Sequence, residues 1–458
     1  MKKVLIVVPA REDGTGRFLK PLMTPGSAMA VAGFTREVAD QLDLDIRCVI
    51  WDEHVKGPVR SDNLAGYDLC LLTYLTPSRL GAYRVADLAR ELGVPTIAGG
   101  IDVTGLCRDG DQDQLMEHFD AIYSGHLTVA SWQRVLTDWR NGALRGNIYQ
   151  PGTGENFEFV IPAWDLIDTD NYIFSAIQSS AGCPYDCEFC GVGLVAGFRR
   201  VHLKPIELLE AEIKHLLSGG AKFLVDCSDC FGANLEHYRD TVLPLLKETG
   251  IPWATEISIP LLVGADGESG LLQEMKDAGC VLVYIGVESL KEKFGKNKLN
   301  LVERTIERCN QLVVLVLVSL VLDCEADATA KSVKDTISQL LKLGVHFFQF
   351  SLSAAIPGTR LHAHVIAEDS LLTSDPTVYD GLHATIGHIA SPQERTRWLK
   401  YGWRRVYGPW NLARLIAWTK THQPELLPIL VSTFRRIQAG ASVWKRAHRT
   451  RQSQQTDN

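Results

Sequence analysis

The chain has 458 residues, 46% of them hydrophobic and 22% charged, with a formal net charge of −7. That length suggests about two or three domains and that composition a soluble globular protein, which excludes disorder for most of the chain. The acidic balance excludes a global basic field for nucleic acid, and eleven cysteines, an odd number in a long chain, favour metal or thiol chemistry in a reducing compartment over a disulfide scaffold.

The first apolar run, Val4 to Val8, is too short for a signal-peptide core and leads into Arg11, Glu12 and Asp13. The longest apolar stretch, residues 312–322, is roughly half the length of a membrane span. A cytoplasmic protein is expected, with no membrane contact. Residues 3–8, 46–51, 69–73, 96–98 and 121–124 read as strands, and 27–42, 83–92 and 127–139 as helices. This is the rhythm of an open, Rossmann-like parallel sheet, which takes ligands at the carboxyl ends of its strands. The loops 73–79 and 99–104 sit at such ends. Residues 147–163, with Pro151, Gly152, Gly154 and Pro162, read as a linker. Strands resume at 173–178, 222–225, 253–257, 282–287, 313–322 and 347–352, which predicts a second α/β unit, a partial or full parallel barrel. From Ser391 the pattern is helical, with a dense aromatic and basic stretch from Trp398 to Trp410. It is either an amphipathic surface or a helix covering the barrel mouth. A polar tail from Lys445 is expected to fray. The expected domains are 1–150, 151–385 and 386–458.

One motif dominates. Cys183, Cys187 and Cys190 follow a predicted strand at the spacing C-x3-C-x2-C. Three thiolates on one tight loop can hold three irons of a [4Fe–4S] cluster and leave the fourth open to a small molecule. A zinc site would want a fourth ligand nearby, and His202 is not at a zinc spacing.

This motif, with Phe189 before its last cysteine, resembles the signature of the radical S-adenosylmethionine (SAM) enzymes. Val283 to Ser289 resembles that family's fourth barrel strand, and Ile356 to Leu361 resembles the turn after its sixth. Residues 1–150, with Gly99 and Gly100 after the fourth strand, are similar to the cobalamin-binding domain fused to one branch of the family. The resemblance implies three cofactors: a [4Fe–4S] cluster on Cys183, Cys187 and Cys190, SAM, and cobalamin. It places Phe189 against the SAM adenine, Gly286 and Glu288 near its ribose or amino acid part, Glu256 as a second polar contact, and Asp229, with Asp226 second, on its ammonium. For cobalamin it points to Thr73, Tyr74, Thr76 and Ser78 beneath the corrin and to Gly99 and Gly100. No D-x-H-x-x-G motif is present, so no protein histidine is expected on cobalt; His54 and His126 lie in other contexts. Gly125-His126 replaces the family's Gly-Glu, and Leu322 to Glu325 replaces a Gly-Pro turn.

Cys227 and Cys230 form a C-x2-C pair that either packs near SAM or holds a further cluster. Cys48, Cys70 and Cys107 read as packing residues. The resemblance implies methylation of an unactivated carbon of a small-molecule substrate, through a 5′-deoxyadenosyl radical and methylcobalamin, with electrons from a donor such as flavodoxin or ferredoxin. The rivals are methylation of phosphorus, a non-methylating step such as oxidative ring closure of a tetrapyrrole, and a non-enzymatic iron–sulfur or cobalamin sensor. The C-terminal region shows no nucleic-acid-binding output module of the kind a sensor would carry.

Overall fold

The structure, a computed structural model, describes residues 1–12, 23–291 and 299–432. Aliphatic and β-branched runs form six parallel strands: β1 Lys2–Val8, β2 Ile46–Asp52, β3 Leu69–Thr73, β4 Thr96–Gly99, β5 Ala121–Tyr123 and β6 Asn147–Tyr149. They lie in the order β2-β1-β3-β4-β5-β6. β3, Leu-Cys-Leu-Leu-Thr, is buried at every residue, as a central strand covered on both faces must be. Strand order reverses between β1 and β3, so the carboxyl ends of these two strands flank the switch point where such sheets take ligands. The loop 73–79 is there. β6 falls inside the stretch expected to be a linker. Three residues are too few to show a period, and the strand is fixed by pairing with β5.

The second sheet contains β7 Ser175–Ile177, β10 Leu224–Asp226, β11 Trp253–Glu256, β12 Cys280–Glu288, β13 Leu315–Val321 and β14 Phe347–Ser351. Each neighbours the next in parallel, the arrangement of a partial barrel. Two short strands, β8 Ser180–Ala181 and β9 His202–Leu203, pair antiparallel at its carboxyl end and bracket the cysteine loop. The α/β class, a Rossmann-like sheet followed by a partial barrel, agrees with the sequence reading.

Helix Pro392–Val406 starts on a capping box between Ser391 and Glu394. Near its start Arg395 pairs with Asp323 just beyond β13 (2.7 Å), and both side chains are 1% exposed. Near its end the Tyr407 hydroxyl both donates to the Phe348 carbonyl and accepts from the Phe348 N–H. The helix therefore runs antiparallel to β14 along the open edge of the barrel. Helix Pro409–His422 then crosses the amino ends of the strands. Leu415, with Leu426 and Leu430, buries itself against Phe223, Ala254, Val281, Leu315 and Phe347. The C-terminal helices thus close the amino end of the barrel and leave its mouth uncovered. The tail from Lys445 lies outside the described residues.

One continuous apolar core joins the two sheets: Val4, Ile6 and Trp132 on the first side, Val160 and Trp164 from the connection, and Leu224, Trp253 and Ile285 in the barrel. Polar contacts cross the same boundary. Tyr172 donates to Asp52 Oδ2 at 3.0 Å, and Ala176 N–H donates to Thr24 at 3.1 Å.

A buried ion pair holds the carboxyl edge of the first sheet. Arg79 donates twice to Asp102, at 2.8 Å each, and neither residue is more than 7% exposed. Asp102→Ala would leave the guanidinium buried without its charge partner and should cost about 3–5 kcal/mol. A thermal melt that matches the parent would contradict this account.

Candidate active site at two facing carboxyl edges

The cysteine loop is positioned from beneath by a polar clamp. Asp226, at the end of β10 and 1% exposed, accepts from the Ser228 N–H and hydroxyl and at 3.4 Å from the Ser179 N–H. Ser228 Oγ in turn accepts the N–H groups of Ser179 and Ser180 at 3.1 and 2.8 Å. Tyr238 bridges both serine hydroxyls. The chain therefore leaves β7 in one direction only. Burial pushes the Asp226 carboxyl above the usual carboxylate range, and it is spent on the backbone. All these bonds go to Oδ1; Oδ2 of this residue, the expected second choice for the SAM ammonium, is buried without a hydrogen-bond partner.

Gly182 starts the loop at φ +88°, where a Cβ would come within 2.0 Å of the Arg200 carbonyl. Its N–H donates to Asp229 Oδ2 at 2.7 Å, and the Cys183 N–H donates to the Phe198 carbonyl at 2.8 Å. Asp229 is half-buried, and burial raises its carboxyl. One of its oxygens is thus committed to holding the loop. Arg199 bonds Tyr185 O and Asp186, and Arg360 bonds the Asp186 carbonyl at 2.7 Å, so the loop is tied to the turn after β14.

Cys183, Cys187 and Cys190 are all half-buried and unbridged. Other thiols differ. Burial raises Cys48 to about 11 and Cys227, Cys309 and Cys324 to about 12. Cys230 is 4% exposed. Cys227 lies 3.4 Å from the Met23 sulfur. Among the described residues no three His, Cys, Asp or Glu side chains close around a single ion. A four-iron cluster instead takes one thiolate at each of three corners, the donor set this loop presents.

Beside the loop, Glu256 ends β11 exposed and Glu288 ends β12 half-buried. Both act on Tyr284, whose hydroxyl is pushed up to about 12, chiefly by burial. Glu288 has φ +56° at an irregularity in the β12–β13 pairing. Its carboxylate folds back over Gly286, where a Cβ would lie 2.6 Å from Oε1, and Ser319 donates to it at 3.4 Å. Phe189 is half-buried on the loop. Asp323, in the segment that replaces the Gly-Pro turn, anchors Arg395 and accepts the Ser353 N–H at 2.7 Å.

The first sheet faces this site with its carboxyl edge. A Cβ on Gly191 would meet Ile101 at 3.1 Å, and one on Gly105 would meet the Pro357 carbonyl at 2.2 Å. Asp109, which the sequence reading missed, accepts the Gly358 N–H at 2.6 Å and pairs with His362 at 2.9 Å. It joins the first sheet to the turn after β14. The expected cobalamin residues divide. Thr73 ends β3 and is buried at 8% exposure, Ser78 is half-buried on the loop that follows, and Gly99 is half-buried. Tyr74 is 5% exposed and stacks on Phe119 in the first core. Thr76 is 3% exposed, in a turn packed on residues 376–378. Gly100 has its own packing reason, since at φ +110° a Cβ would meet Tyr74 O at 2.7 Å. Leu75, 64% exposed in the same loop, is the apolar side chain left on this edge.

Residues 177–337 match the model of the radical SAM superfamily. This assigns a radical SAM domain to those residues, and the cysteine loop at the carboxyl end of a partial barrel lies within it. An uncharacterized methyltransferase of Pyrococcus horikoshii is 25% identical over 85% of this chain and 89% of its own length. The bacteriochlorophyllide d C-8(2)-methyltransferase of Chlorobaculum tepidum is 23% identical over 80% and 85%. The fold is also that of the radical SAM methyltransferase TsrM from Kitasatospora setae, solved with cobalamin and a [4Fe–4S] cluster (TM-score 0.59, 14% identity, 87% of this chain and 85% of that one).

Gly182→Ala should prevent the loop from closing and reduce reconstituted iron from about four per chain to near zero. Asp229→Asn, which can still accept the Gly182 N–H, should retain the cluster, whereas Asp229→Ala should lose much of it. Iron and sulfide analysis after anaerobic reconstitution separates these outcomes. Full iron content in Gly182→Ala would refute the positional account.

Proposed function

We propose that the protein is a cobalamin-dependent radical SAM methyltransferase that methylates an unactivated carbon of a small-molecule substrate. The observation that carries this reading is the half-buried cysteine loop held against the carboxyl edge of the first sheet through Gly191 and Ile101. When bound, the cluster would cleave SAM reductively to a 5′-deoxyadenosyl radical and the cobalamin would carry the methyl group. Cys183, Cys187 and Cys190 would hold three irons. Glu256 and Glu288 would take the polar groups of SAM, with Glu288 held ready by Gly286 and Ser319. Phe189 would lie on the adenine, and Asp229 would fix the loop beneath. Thr73, Ser78 and Gly99 would line the cobalamin crevice, with Leu75 as its apolar floor. Gly100, Tyr74 and Thr76 would support that floor from behind. Continuity of the two edges would exclude water between the cofactors, which protects a radical from quenching. A flavodoxin or ferredoxin would deliver the electrons, as is usual for a cytoplasmic enzyme of this kind.

The names of the P. horikoshii and C. tepidum relatives support methyl transfer over oxidative ring closure, and the cobalamin bound in TsrM supports the second cofactor. With reductant, SAM and substrate, the enzyme should yield S-adenosylhomocysteine and 5′-deoxyadenosine in about equal amounts. SAM labelled with deuterium in its methyl group should add about three mass units to the product. Cys183→Ala, Cys187→Ala or Cys190→Ala should abolish all of these. Product that forms without label would overturn methyl transfer.

A further inference from the structure

The C-terminal region is opposite in charge to the rest of the chain. Residues 392–458 hold 13 of the 47 lysines and arginines but only three of the 54 acidic residues. In helix Pro392–Val406, Arg397, Lys400, Tyr401, Arg404 and Arg405 fall at the i, i+3, i+4, i+7 and i+8 positions of one stripe. They line a shallow depression of about 390 Å³. Lys334, from helix Ala330–Leu343, adds a cation 5.4 Å from the Tyr401 ring centroid. Like charges at this spacing weaken a helix. The helix's one acidic residue, Glu394, is taken up by the capping box in the first turn. Folding alone gives no reason for such a stripe.

The next helix continues it. Pro409–His422 contains no acidic residue, and its outward face carries Trp410, 88% exposed, with Ala413, Arg414, Ala417 and Lys420. This surface runs down the barrel edge to the amino ends of the strands, where Leu415 and Leu426 are buried. The cysteine loop is at the carboxyl end. An electron donor must approach the cluster, so it is poorly served by a cationic face at the opposite end of the barrel.

We propose that the C-terminal helices form a docking face for an anionic lipid surface. Charge complementarity carries the choice: arginines spread along a helix suit lipid phosphates, and an exposed tryptophan beside them suits the headgroup level of a bilayer. Among the described residues no helix is long and apolar enough to cross a membrane, so the attachment is peripheral. The acidic remainder of the chain is repelled by the same surface, which selects one orientation, with the cluster end away from the lipid. This inference does not depend on the proposed reaction.

The test uses the full-length, cluster-loaded protein and vesicle flotation. Vesicles of phosphatidylcholine with about one third phosphatidylglycerol should carry the protein, and phosphatidylcholine alone should not. About 0.5 M salt should release it. Each arginine removed should weaken partition about fivefold, so the double variant Arg404→Gln/Arg405→Gln should lose more than tenfold, with iron content and SAM cleavage unchanged. Trp410→Ala should weaken binding to the anionic vesicles further. Failure to bind anionic vesicles, equal binding to both kinds, or an unchanged double variant would overturn the proposal. So would retention on immobilised polyglutamate without vesicle binding, which would assign the face to an acidic protein.

Discussion

Asp226 accepts its hydrogen bonds while almost fully buried, and the turn that leaves β7 takes its direction from them. A carboxyl in that setting is costly to ionise, and the N–H and hydroxyl of Ser228 offset part of that cost. The clamp fixes Ser179 and Ser180, and these fix Gly182. Gly182 sets where Cys183 begins, and Asp229 holds it from the other side. The thiols are thus presented by a chain of backbone contacts. They are half-buried, whereas Cys48, Cys70, Cys230, Cys280 and Cys309 are sunk in the interior.

The second constraint is contact between two carboxyl edges. Gly105 and Pro357 approach so closely that no side chain fits between them, and Asp109 bonds the turn that carries Gly358. A parallel sheet offers its ligand site at one edge only. Here the two sheets bring those edges against each other. The other end of the barrel is free for other uses, and the C-terminal helices occupy it.

Local chemistry was legible in the sequence. The cysteine spacing needed no fold to be recognised, and long runs such as β1, β3 and β13 announced themselves by composition. β6, β8 and β9 did not, because two or three residues show no period. Asp109 stayed hidden because its partner Gly358 is 249 positions away. The sequence placed Tyr74 and Thr76 in a loop at a strand's carboxyl end but could not tell which side chains turn inward; Phe119 and the turn at 376–378 decide that. The sequence favoured Asp229 over Asp226, with two residues between them; Asp229 bonds the cysteine loop at Gly182, and Asp226 lies buried beneath it. The aromatic, basic helices read as a cover for the mouth because a helix pattern does not say which end of a barrel it meets.

The apolar core shared by the two sheets also governs how the chain folds. Helix Gly26–Gln41 sets Gly33 against the Ile161 carbonyl and bonds the connection through Met29 and Arg36. A chain that ended near Tyr149 would leave that flank wet, with Met29 and Trp132 deprived of Val160 and Trp164. During synthesis the first sheet emerges long before its cover does, and it must wait on the ribosome or a chaperone with an adhesive side exposed. The two halves are therefore one cooperative folding unit, although each has the outline of a module.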